Sequence, residues 1–582
     1  MEISTIQVRG ERDVVSDVRL EHAWSLVEEF SSLVRGSGTE DEARAVEHIT
    51  SRLEAWGVPH TVHRPELFIS LPLRASLTVD GVTYEASTPS MARSTSDEGE
   101  TAEISYQPSG YAASVNDIFA GAAVTGDVAG KFVVTEGFPM PGKIADLEAR
   151  GARGVVSIAP GERIHEGICT SIWGSPDLTS YGRQPQIPVV AISNPDGKEL
   201  TSRIRAGTRA TMVAQHDTRW RPIPVTVAEI KGQVEPERFV LLHGHLDSWH
   251  VGIGDNATGN ATLLEAARVL HANRDRLARS VRICWWSGHS HGRYAGSTWY
   301  ADTNANDLLR NCVCHVNCDS PGCRDATAFE DLTAMAEVTE FVGQATRDFT
   351  GLGSETRHPI RAGDISFNNL GITTFFMLSS TIPAEQRAER ALYAVGGCGG
   401  NIEWHTVADT IEVADREILL RDMQLYVGAV FRAANLPTHP LDFRRTVDQA
   451  VESLRGYDLG ELVELEPTYQ LATRAIASLD DLYGAARDVS SVEEARPIND
   501  ALLRVGRALV PVLYSREGRF RQDPALEVPL LPDFAAAAGA RGSVNEGVLR
   551  TDLIRARNRL DDALLQVEEE SRRTLGGRGQ SQ

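Results

Sequence analysis

One plan occurs three times between Phe239 and Ser320, and it limits what this chain can fold into. Phe239 to Leu242 is an unbroken apolar run that breaks into His243, His245, Asp247 and Asp255, and a helical pattern follows from Ala261. That order reads as a buried strand, a polar loop at its carboxyl end and a helix, the layout that places sites at strand ends in open α/β sheets. Val281 to Trp286 repeats the strand, followed by Ser287, Gly288, His289, Ser290, His291 and Gly292. Cys312 to Cys318 is a third strand ending at Asp319, and Trp404-His405-Thr406 brings one more imidazole much later. Imidazole with carboxylate is a usual ligand set for zinc and related metals.

The 582 residues predict two to four domains. A net charge of -22 opposes nucleic acid or an anionic membrane as the main partner, since both need a basic face. The first residues carry no basic stretch followed by an apolar core, and no window has the apolar length of a membrane span. Seven cysteines in such a chain predict reduced thiols and a cytoplasmic location.

Residues 21–57 read as two helices, the second opened by a Thr39/Glu42 capping box. Short strands follow from Phe68 to Tyr84, and Val124 to Thr135 reads as a strand pair. Beyond Pro437 only helical patterns remain, with Pro511 expected to halt one of them. Leu549, Leu553, Ala556, Leu560, Ala563 and Val567 form a packed helical stripe, and Gly576 to Gln582 reads as a frayed tail. His243 is expected to be a packed strand-end residue. Cys312, Cys314 and Cys318 alternate along a strand and read as small core residues sharing one face.

With His245-Leu-Asp247, Gly254-Asp255-Asn256, Asn317-Cys-Asp319 and His405-Thr406 in place, the chain resembles the co-catalytic metallopeptidases. That group includes zinc aminopeptidases, glutamate carboxypeptidase and the catalytically inactive transferrin receptor. The resemblance implies an α/β, aminopeptidase-like (phosphorylase/hydrolase-like) mixed-sheet catalytic domain over residues 1–100 and 222–436. It also implies a protease-associated-like insert over 101–221 and a helical dimerisation-like domain over 437–582. By resemblance His245 and Asp319 hold one metal, Asp255 bridges, His405 holds the second, and Asp247 orients His245 from behind. A homodimer is expected, with the helical stripe offering a spare apolar face.

The family's Glu-Glu-x-Gly is absent, and His289-Ser290-His291-Gly292 stands in its region. Counting back from Gly296-Ser297 puts Ser290 on the first Glu and His291 on the second. Counting forward from Trp285-Trp286 puts His289 on the first and Ser290 on the second. The backward count leaves the stretch to Asp319 free of gaps and is preferred, which makes His291 a metal ligand and removes the general base. Such a loss costs about 10²–10⁴ in rate. His289 is then the expected proton shuttle, with His250 as a second candidate. Arg293 and Arg361 are candidates for holding a substrate carboxylate.

The expected activity is metal-dependent hydrolysis of an amide or peptide-like bond in a small molecule or short peptide-like substrate. One or two divalent transition metal ions would serve it, zinc or alternatively iron or copper. Two alternatives stand beside it. One is a mononuclear iron or copper centre of His245, His291 and His405 with Asp255. The other is a catalytically inactive binding or scaffold homologue.

Overall fold

The computed structural model describes residues 8–114, 117, 118 and 124–578. Its central sheet runs in the order His60–His63, Val225–Ile230, Arg279–Trp286, Glu235–His245, Cys312–Asn317 and Thr374–Phe375. The last four strands are parallel, and Val225–Ile230 is antiparallel to its neighbours. Glu235–His245 lies in the middle because the chain leaves it to one side for Arg279–Trp286 and then crosses to the other for Cys312–Asn317. Its carboxyl end is therefore a topological switch point, where open α/β sheets form their crevice. The helices Thr258–Ala272 and Arg416–Asn435 cover one face with Leu264, Val269, Met423 and Tyr426, all fully buried.

A second sheet of seven strands takes in Glu66–Val79, Val82–Glu85, Glu100–Tyr106, Phe132–Glu136, Gly154–Ile158, Val189–Ile192 and Arg209–Pro222. The long pair Glu66–Val79 and Arg209–Pro222 belongs to this sheet. In place of the expected strand pair, only Phe132–Glu136 forms, because residues 127–131 close a turn through Asp127 and Lys131.

The capping box is half formed. Thr39 Oγ1 accepts from the Glu42 N–H at 3.4 Å, but Glu42 reaches past Thr39 to the Gly38 N–H. Cys312 and Cys314 do not share a face, since a bulge between residues 312 and 315 turns them to opposite sides of the sheet.

The carboxyl-terminal part is helical: Phe443–Gly456, Glu466–Ala486, Val492–Tyr514, Pro532–Gly539 and Glu546–Arg578. Pro511 does not halt its helix, which runs on to Tyr514. Proline removes the hydrogen bond to the carbonyl four residues back, and here the Arg519 guanidinium takes that Arg507 carbonyl at 2.8 Å. The stripe from Leu549 to Val567 is wholly buried against the neighbouring helices of the same chain, so it offers no spare face. Residues 576–578 continue the last helix, and the rest of the expected tail, 579–582, lies outside the described residues.

The amino terminus is tied to the core through charge. Arg432 is fully buried and takes both carboxylate oxygens of Glu11 at 2.9 and 2.7 Å, with Asp348 at 2.9 Å. Removing one partner of a buried pair leaves a charge uncompensated. Glu11→Ala should therefore destabilise the protein by about 3 kcal/mol and lower its thermal midpoint, whereas Arg432→Met paired with Glu11→Leu should cost much less. An unchanged midpoint in Glu11→Ala would show that Asp348 alone compensates the guanidinium.

Candidate metal centre

His245 is the last residue of the middle strand, and its Nε2 lies 2.8 Å from Asp255 Oδ1. The other Asp255 oxygen, Oδ2, lies 3.0 Å from His405 Nε2. One carboxylate thus faces two imidazoles, as the resemblance implied for a bridging ligand. Asp255 is held there by Asp409, whose two oxygens accept the backbone N–H groups of Gly254 and Asp255 at 2.7 and 3.0 Å. Burial opposes ionisation of Asp255, but His245 and His405 outweigh it and hold the carboxyl well below its ordinary range. Burial likewise disfavours the His245 imidazolium, and the carboxylates of Asp255 and Asp319 override it. Asp409, buried beside the Asp255 charge, is pushed up to about 7.

Asp319 Oδ1 is 3.8 Å from His245 Nε2. His289 completes this side of the site: its ring stacks on His245 with centroids 3.8 Å apart, and its Nδ1 is 2.8 Å from Asp364 Oδ2. That contact leaves Nε2 for the site. Donor atoms of His245, His289 and Asp319 all lie within 4.8 Å of one another, the only such group of three among the described residues. A carboxylate behind a histidine is the usual support for an imidazole ligand. The donor set of nitrogen and carboxylate oxygen fits zinc or a related divalent metal.

His291 is elsewhere. Its Nδ1 meets Ser37 Oγ at 3.0 Å, its ring packs on Trp249 at 4.3 Å, and its carbonyl accepts the Ser70 N–H. His291 therefore does not join the donor group expected of it; His289 meets His245 and Asp319 instead, although neither count through the Glu-Glu region puts His289 on the ligand Glu. The three-histidine set of His245, His291 and His405 is not assembled. Ser290 lines the pocket beside His289. His250 faces Glu166, with Nε2 3.8 Å from its carboxylate, and does not line the pocket.

Asp247 also differs from expectation. Its backbone carbonyl, not its carboxylate, meets His245 Nδ1 at 2.8 Å. The carboxylate accepts the N–H groups of His289 and Ser290 at 3.2 and 2.8 Å and the Ser37 hydroxyl at 2.6 Å. It pins the turn that carries His289. Although burial raises it, His291, His245 and His289 hold Asp247 below the usual carboxylate range.

The loop between Gly154–Ile158 and Val189–Ile192 of the second sheet reaches the site through Glu166, whose backbone N–H and carbonyl pair with the carbonyl and Nδ1 of His405 at 2.8 and 2.9 Å. His165 next to it packs among Phe138, Tyr393 and Trp404, and burial lowers its pKa to about 3. His243 is likewise a packed residue, stacked on His315 in the core.

Sequence reading missed Arg35, Ser37 and Asp364. Arg35 is fully buried and donates to the carbonyls of Leu246, Val251 and Gly252, fixing the loop after His245. These residues lie far from the motifs in sequence, and nothing local marks them.

The pocket over these donors is lined by Ile168, Trp249, Arg293, Tyr294, Met377 and Trp404. Arg361 is not in it: its guanidinium stacks over Trp173 at 3.6 Å and donates to the Asp523 carbonyl at 2.6 Å, so its proposed substrate role is withdrawn.

The crevice at the switch point of this mixed α/β sheet thus gathers histidines and aspartates of the kind that hold divalent metals. Residues 226–429 match the model of peptidase family M28. A probable glutamate carboxypeptidase, LAMP1, from Arabidopsis thaliana is 32% identical over 310 residues, which cover 49% of this chain and 43% of that protein. Carboxypeptidase Q from Bos taurus is 32% identical over 127 residues, or 21% of this chain and 27% of that one. These matches span less than half of either relative. Two solved structures share the fold. An aminopeptidase from Aneurinibacillus sp. strain AM-1 has a TM-score of 0.53 at 20% identity and covers 73% of this chain and 96% of that one. BSAP, a zinc aminopeptidase from Bacillus subtilis, has a TM-score of 0.53 at 21% identity and covers 72% and 95%.

Proposed function

We propose that this protein is a metal-dependent hydrolase of amide or peptide-like bonds in small substrates. The observation that carries the reading is the convergence of His245, His289 and Asp319 beneath an open pocket, with Asp255 shared between His245 and His405. His245, His289 and Asp319 would hold one zinc or similar divalent ion, and His405 with Asp255 would face a second. Bound there, the metal would supply Lewis acidity for activating water and polarising the scissile carbonyl. Asp364 fixes the His289 ring, Asp247 fixes the turn beneath it, and Asp409 fixes Asp255. Asp255 and Asp319 are the only carboxylates lining the pocket among the described residues. Ser290 offers no basicity near neutral pH, so turnover should fall short of a related enzyme with a dedicated base by about 10²–10⁴.

The test is hydrolysis of a panel of aminoacyl and N-acyl peptide amides before and after treatment with 1,10-phenanthroline. Activity that is lost and then restored by added zinc is the expected result. Hydrolysis indifferent to the chelator would overturn the reading.

Three further proposals accompany this one. The second sheet serves as a protease-associated-like unit, since its Glu166 backbone holds His405. The helical part after Pro437 serves dimerisation, by its likeness to the family's dimerisation domain, and light scattering at micromolar concentration should give twice the 63.4 kDa chain mass; a monomer mass would exclude it. The protein resides in a reducing compartment, in keeping with seven buried, free cysteines. Among the described residues no helix is long and apolar enough to cross a membrane.

A further inference from the structure

Arg293 stands in the wall of the pocket beside His289 and Ser290, and it is only 5% exposed. Among the described residues its guanidinium has no carboxylate within 4.0 Å and no hydrogen-bond acceptor, and its Nε is buried without a partner. The other deeply buried arginines all have carboxylate or carbonyl partners, though Arg432 leaves its Nη1 without one. Arg279 has Glu235, Arg432 has Glu11 and Asp348, Arg35 has three carbonyls, and Arg507 has four. A desolvated cation without an anion is costly, and proteins keep one where a ligand supplies the missing charge.

The backbone around it is unusual as well. Arg293 and Tyr294 both have positive φ, 48° and 69°, in the left-handed region that residues with a Cβ disfavour. The result is an arginine turned into the pocket wall next to the metal-ligating turn. Tyr294 is locked behind it by its hydroxyl, which accepts the Gly363 N–H at 2.9 Å, and by stacking on Trp173.

We infer that Arg293 is the specificity-determining residue of this site and pairs with a carboxylate on the substrate. A planar guanidinium matches a carboxylate through two parallel hydrogen bonds. The rest of the wall (Ile168, Trp249, Met377, Leu378 and Trp404) is apolar or aromatic. The substrate class is therefore an amide that carries a free carboxylate close to the scissile bond and an apolar side group. This inference rests on the hydrolase reading above.

The experiment has a binding arm and a turnover arm. Quenching of pocket tryptophan fluorescence is measured with N-acetylphenylalanine and with its primary amide, on the metal-loaded wild type, Arg293→Gln and Arg293→Lys. The acid should bind the wild type at least about tenfold more tightly than the amide, an advantage that vanishes in Arg293→Gln and falls severalfold in Arg293→Lys, with metal content equal in all three. In the turnover arm, N-acyl dipeptides with a free carboxyl terminus should show a KM raised about tenfold or more by Arg293→Gln, with kcat little changed and the amidated peptides unaffected. If the wild type cleaves neither peptide, the hydrolase reading fails while the binding arm still decides the role of Arg293. Equal binding of acid and amide by the wild type, or an acid preference that survives in Arg293→Gln, overturns the inference. Should Arg293→Gln fail to fold, the graded loss in Arg293→Lys decides the same question.

Discussion

Asp255→Ala should empty the centre of metal and lower turnover by more than about 100-fold. Even residues one step behind a metal's ligands cost 10–100-fold when removed, and Asp255 stands in front of them. Its two oxygens reach His245 and His405 at 2.8 and 3.0 Å, so a single truncation removes the link between both halves of the site. The same reasoning ranks Asp409→Asn below it. Asp409 touches only the backbone N–H groups of Gly254 and Asp255 and the Cys398 thiol, so its loss should misplace Asp255 and cost about 10–100-fold. Metal content and turnover measured together on both variants check this order. Full metal occupancy in Asp255→Ala would remove Asp255 from the ligand set.

His289→Ala should likewise lower metal content and turnover together, while His291→Ala should leave metal content unchanged. The two residues are near neighbours in sequence and chemically identical, so the contrast isolates position. His289 stacks on His245 and is braced by Asp364, whereas His291 is spent on Ser37 and Trp249. Removing the His289 imidazole leaves Asp364 buried and facing a void, but Ser297 still donates to its other oxygen at 2.6 Å, so the fold should survive. Turnover should drop by about 10²–10⁴, the range over which loss of a proton-transfer or positioning group acts. Metal retained in His289→Ala with turnover lost would instead make His289 a proton shuttle. Metal lost in His291→Ala would restore the count from Gly296-Ser297.

These contrasts show what the sequence made legible. Apolar runs ending in His245, Trp286 and Asn317 carry their own period and length, so the parallel strands and the crevice at their ends could be read directly. His245, Asp255, Asp319 and His405 follow from that reading because each closes a strand or a loop with a distinctive spacing. The choice between His289 and His291 did not follow, because one residue of slack lies before Gly296. Only the long-range contacts of the two rings, with His245 and Asp364 for His289 and with Ser37 and Trp249 for His291, separate them. Asp364, Arg35 and Ser37 were invisible for a different reason: each acts through long-range hydrogen bonds, and no local pattern records such partners. Pro511 misled because the rescue of its orphaned carbonyl comes from Arg519, eight residues on, in an irregular loop.

The most direct test of the metal centre is a crystal structure of protein purified without added metal, with anomalous scattering collected across the zinc edge. The account predicts an anomalous peak within bonding distance of His245 Nε2, His289 and an Asp319 oxygen, with Asp255 alongside. A peak bound to His291, or no peak at the crevice in protein that hydrolyses its substrate, would contradict it.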